Sequence, residues 1–125
     1  MSDPDTATFE HLAHQAMAAL PSPFRAHLGG ILVRIEEFAD SETLDVLGID
    51  DAWGLSGLYH GRPIGEQPMT GEMPPIITLY RRPLLREWHE TGVDLKALIT
   101  HVVVHEVGHH FGLSDDEMEA LESDA

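Results

Sequence analysis

From Phe9 onward, apolar side chains recur at Leu12, Ala16, Met17 and Leu20, the spacing of one helix face, until "PSP" at 21–23 stops the pattern. Residues 31–38, "ILVRIEEF", alternate instead: Ile31, Val33 and Ile35 oppose Arg34 and Glu36, which predicts a strand with one covered face. A short helix over 41–47 follows. "LSGLYHG", residues 55–61, predicts a second short strand, and "PIITLYRR", residues 75–82, predicts a third from its β-branched and aromatic content. Between these two lies "HGRPIGEQPMTGEMPP", residues 60–75, with three glycines and four prolines in sixteen positions. That composition excludes regular structure over most of the stretch and marks a functional loop or a solvated connector.

Beyond "TG" at 91 and 92 the pattern becomes apolar on most sides, with Leu95, Leu98, Ile99, Val102, Val103, Val104 and Val107. A helix from Leu95 to about Phe111 fits, capped by Asp94 and ended by Gly112, and its apolar girth predicts the central buried helix. Valine is a mediocre helix former, so packing must override propensity in "VVV". Ser114 with Glu117 three residues on is a capping box, which opens a last helix through about Glu122. The chain contains no internal repeat, and 125 residues predict one domain, 1–125, with a core large enough to need no staple.

Composition narrows the chemistry. The chain has no cysteine, which removes disulfides and thiolate metal sites together and suits a reducing, cytoplasmic setting. "MSDPDTATFE" has neither a basic leader nor an apolar stretch, and no segment approaches the ~20 apolar residues of a membrane span. The expectation is a soluble chain with no membrane partner. With 22 acidic against 7 basic residues the formal charge is -15, which disfavours nucleic acid as a partner.

The chemistry concentrates in "HEVGHHFGLSD", residues 105–115. On a helix, His105 and His109 project about 40° apart and differ by about 6 Å in height, so two imidazoles can grip one ion. His110 falls roughly 140° from His105 and should point elsewhere. His101, one turn earlier, is too far back for the same ion, and a supporting or packed role is expected. Glu106, about 100° around from His105, stands beside the ion, where a base for a bound water belongs. A catalytic zinc site uses three protein donors and keeps one position open. Gly112 can take positive φ and reverse the chain, which brings Asp115 back as the third ligand; Asp116 and Glu119 are its local competitors. Two histidines and one carboxylate also suit non-haem iron, but Glu106 favours hydrolysis and therefore Zn2+. The bland alternative is a buried helix whose histidines only hydrogen-bond.

With those residues in view, the chain resembles the small bacterial zincin-like metallopeptidases, the minimal zincins or minigluzincins. The motif HExxHxxGxxD stands as His105, Glu106, His109, Gly112 and Asp115, and the likeness extends to "FEHLAHQAMAALP", "GLYHGRP" and "ITLYRRPLL". The resemblance implies an α+β fold, a small three- or four-stranded sheet packed on a central active-site helix with flanking helices, and zinc peptidase chemistry. Metzincins share the glycine spacing, but Met118 follows Asp115 too soon for their downstream methionine turn. Bacterial rRNA-maturation endonucleases with similar ligand spacing lack the glutamate after the first histidine.

The expected activity is hydrolysis of a peptide or amide bond in a peptide or protein substrate. Zinc lowers the pKa of its water to about 7 and polarises the carbonyl, while Glu106 takes the proton and returns it to the leaving amine. Tyr59, His60 and Tyr80 are candidate oxyanion donors, each with a structural role as the alternative. Strand 76–81 could align an extended peptide by edge pairing. A second reading, motivated by small size, is a metal-stabilised binding or regulatory module with little catalysis.

Overall fold

The computed structural model describes residues 3–21, 25, 28, 30–61, 74–114, 116 and 117. Its first helix begins where Asp5 accepts the Thr8 backbone N–H at 2.9 Å, and α1 runs Thr6–Ala18. Strand β1, Leu32–Glu36, shows the expected alternation, with Val33 and Ile35 half-buried and Arg34 and Glu36 exposed. Helix α2, Ser41–Leu47, is opened by the Asp40 carboxylate on the Thr43 N–H at 2.8 Å and closed by Gly48 at φ 69°. A 3-10 turn at Ala52–Gly54 leads into β2, Gly57–His60. Strand β3, Ile76–Tyr80, passes directly into α3, Arg81–Thr91, and α4 spans Leu95–Phe111.

The three strands form one mixed sheet in the order β1-β3-β2, with β1 parallel and β2 antiparallel to β3. The register puts Val33 and Ile35, Ile77 and Leu79, and Gly57 and Tyr59 on one face. That face meets α1 and α4. Phe9 and Ala13 of α1, Ile77 and Leu79 of β3, Leu84 of α3, and Ile99, Val103 and Val107 of α4 are completely buried there. Each large apolar side chain so removed from water contributes on the order of 1.5–3 kcal/mol, and together they fix α4 against the sheet. This is the small α+β architecture expected, with three strands.

Helix α4 has the predicted ends: Asp94 accepts the Ala97 N–H at 3.2 Å, and Gly112 closes it at φ 67°. All seven apolar residues expected to bury do so. The box at Ser114 is formed, its hydroxyl accepting the Glu117 N–H at 3.2 Å while the Glu117 carboxylate accepts the Ser114 N–H at 3.1 Å. The remainder of the helix expected through Glu122 lies outside the described residues, as does most of the 60–75 loop.

Two features differ from the sequence reading. Helix α3 was not marked by the hydrophobic pattern; its N-cap, Tyr80, makes no side-chain capping bond, and Pro83 looks like a breaker. A proline in the first turn costs little, because those N–H groups have no helical partner anyway. Second, β3 is the central strand, hydrogen-bonded on both sides, and so has no edge to offer a peptide. The edge beside α4 belongs to β2. Among the described residues no helix is long and apolar enough to cross a membrane.

Candidate active site

Strand β2 crosses α4 at close range, and a glycine makes that possible. A Cβ on Gly57 would come within 2.5 Å of Val102 Cγ1 and 3.7 Å of Glu106 Cγ. Glycine inside a strand often marks such a close approach. In the antiparallel pair, Tyr80 N–H donates to Ser56 O at 3.0 Å, so Ser56 and, two residues on, Leu58 and His60 direct their backbone groups at β3. The backbone groups of Gly57 and Tyr59 therefore face away from β3. The N–H of Tyr59 is used there, donating to the carboxylate of Glu106.

Glu106 is the buried acid of α4, its side chain only 8% exposed. Burial raises its pKa above the usual carboxylate range, while the charge of His105 and the Tyr59 N–H act in the opposite direction. Its Oε1 lies 3.2 Å from Nδ1 of His109. His105 and His109 are both exposed on the same side of the helix, their ring centroids 5.0 Å apart and edge-to-face. One exposed imidazole pair and one buried carboxylate thus occupy adjoining faces of two consecutive turns, as the helical spacing requires.

A hollow of about 210 Å³ opens beside them. Gly54 to Gly57 form one wall, and His101, Val102, His105 and Glu106 form the other. His101 is exposed and lines this hollow, so the packed-core role is not observed; its azimuth, nearly that of His105, turns it outward. His110 points away from the pair as expected: it is buried, and its Nδ1 is 2.9 Å from the Tyr59 hydroxyl. That bond engages the Tyr59 hydroxyl away from the hollow. Tyr80 and His60 are on the opposite face of the sheet by register, where neither can serve a carbonyl over α4. Tyr80 is also buried, and its pKa is raised by that burial and by Glu36 and Asp40.

Asp115 and Glu119 lie outside the described residues, so the third ligand is not placed. Asp116 is described and exposed, and among the described residues no three His, Asp or Glu side chains converge as a metal cluster. The donor chemistry of the pair nonetheless fits zinc, since imidazole nitrogens are among its common ligands and both rings lie on one helix face. Sequence reasoning missed Gly57 and the backbone of Tyr59; the glycine at the third position of "LSGLYHG", inside the expected strand, was the available signal.

A three-stranded mixed sheet over a buried helix that carries HExxH, with an edge strand above its glutamate, defines a small protein of the zincin class. Residues 28–125 match the family model described as zincin-like metallopeptidase, and the chain belongs to that family. No curated protein matches the chain.

Proposed function

We propose that the protein is a zinc-dependent peptidase that hydrolyses a peptide or amide bond in the hollow between the segment Gly54 to Gly57, which leads into β2, and α4. The observation that carries this reading is the placement of Glu106: a buried carboxylate beside an exposed histidine pair, next to β2, the outer strand among the described residues. His105, His109 and Asp115 would hold the metal. With Nδ1 of His109 turned to Glu106, Nε2 is the ring nitrogen left to bind it.

When bound, zinc supplies a Lewis acid that activates water near neutral pH and polarises the scissile carbonyl. Glu106 accepts the proton of the attacking water and later delivers it to the leaving nitrogen. Burial favours its protonated form and so makes it a better proton acceptor than a solvated carboxylate. The edge of β2, through the backbone carbonyls of Gly57 and Tyr59, aligns an extended peptide by strand addition. A single domain, 1–125, in the cytoplasm is the setting that the cysteine-free composition favours.

The test is an unbiased peptide mixture incubated with zinc-loaded, untagged protein and analysed by mass spectrometry. Cleavage products should appear, vanish on chelation, return with zinc, and be absent for Glu106→Gln. Equal product from wild type and Glu106→Gln would refute the assignment.

A further inference from the structure

Tyr59 touches α4 at two successive turns. Its backbone N–H donates to Glu106, and its hydroxyl meets Nδ1 of His110 at 2.9 Å, with the two rings 5.8 Å apart at 64°. Glu106 and His110 are four residues apart, so about 40° and about 6 Å separate them on the face under β2. One strand residue therefore bridges the glutamate and the next turn. At its other end β2 is seated by Gly57 against Val102.

The carboxylate of Glu106 is consequently held from two directions, by the Tyr59 N–H and by the His109 ring at 3.2 Å. The first hold depends on how closely β2 lies on α4 at residue 59. The register bonds Leu58 and His60 to β3 and turns the backbone of Tyr59 to the outer side of the strand. The phenol reaching down to a buried imidazole ties residue 59 to the helix.

We propose that the Tyr59–His110 hydrogen bond is a positioning device that fixes the edge strand over α4 and thereby holds Glu106 in its working orientation. His110 and the Tyr59 hydroxyl act through Glu106 and touch neither substrate nor metal. The proposal rests on the reading of Glu106 as the base. A misplaced base loses rate rather than affinity, because orientation of the reacting groups is what it supplies.

The experiment compares zinc-loaded, untagged wild type with Tyr59→Phe, His110→Leu and His110→Gln, whose amide can still bond the hydroxyl. Residue-resolved amide exchange is followed at 58 and 59, together with zinc content and peptide cleavage. In Tyr59→Phe and His110→Leu, exchange at residue 59 should rise about tenfold while Leu58, paired to β3, stays within about twofold. Zinc content should be retained, and kcat should fall about tenfold with KM nearly unchanged. His110→Gln should recover most of the protection and rate. Unchanged exchange at residue 59, or equal acceleration at 58 and 59, would overturn the positioning role, the latter because it reports general loosening. Absence of cleavage by wild type would instead sink the peptidase reading, and the exchange pair would still decide whether the clamp exists.

Discussion

Gly57 and Val102 approach so closely that no side chain fits between them: a Cβ at position 57 would stand 2.5 Å from Val102 Cγ1. The contact sets the distance between the edge strand and the helix that carries Glu106. Gly57→Ala should therefore destabilise the protein by about 1–3 kcal/mol, the usual cost of overpacking. Val102→Ala, made in the same background, removes the obstructing methyl and should recover part of the loss. Urea unfolding of the two single variants and the double variant measures this coupling. Additive losses would show that β2 does not rest on α4 at this point.

The two acidic caps make a pH prediction. The Thr8 backbone N–H and hydroxyl bond hold the pKa of Asp5 below its ordinary 3.8, and the Thr43 hydroxyl and N–H do the same for Asp40. A depressed folded pKa means that the charged cap stabilises fully above the unfolded value and that the contribution disappears as pH falls through the folded value. The Tm difference between wild type and Asp5→Ala should thus be constant from neutral pH down to about 4 and narrow below that. Circular-dichroism melts across this range give the answer; a gap unchanged in strong acid would contradict the capping role.

Those caps also explain what could be read from the chain. Asp94 and Gly112 mark the ends of α4 through chemistry local to a few residues, so that helix was legible from its caps; the caps of α2, Asp40 and Gly48, are equally local but were not singled out in the sequence. Helix α3 was not, because Tyr80 offers no capping bond and the preceding β-branched run conceals the junction. Strand β3 is buried at all five positions, and without alternation its central place in the sheet leaves no trace in the pattern. The site divides the same way. His105, Glu106 and His109 are related by helical spacing alone, whereas Gly57 and Tyr59 reach Glu106 only through tertiary packing across some fifty residues of sequence.

Glu106 should be a liability in the metal-free protein. Its pKa is raised, chiefly by burial, so the folded state binds the proton more tightly than the unfolded chain. The sign follows: stability is favoured below the ordinary value of 4.5 and declines as pH rises from there through the folded pKa. Metal-free Glu106→Gln should therefore be more stable than metal-free wild type at neutral pH, with the advantage vanishing in acid. The same substitution should lower turnover of the zinc-loaded enzyme by about 10²–10⁴-fold while zinc content stays intact. Thermal melts of the apoprotein and metal analysis of the loaded form check the two halves independently.

The ligand set can be separated from its neighbours by metal affinity alone, without knowledge of the substrate. His105→Ala, His109→Ala and Asp115→Ala each remove a proposed donor, and each should weaken zinc binding by more than about 100-fold, beyond the ~10–100-fold that loss of a supporting residue costs. Asp116→Ala and Glu122→Gln should leave affinity within about twofold, since neither group is assigned to the metal. Competition with a chromophoric chelator, on protein free of a histidine tag, resolves these values. The comparison of Asp115 with Asp116 is the informative one, because a helix end that reverses at Gly112 could direct either acid toward the histidine pair. If Asp116→Ala loses zinc and Asp115→Ala keeps it, the carboxylate is one residue further along and the two imidazoles keep their role. If neither acid matters, the metal is held without a carboxylate from this turn, and the proposed three-donor site fails.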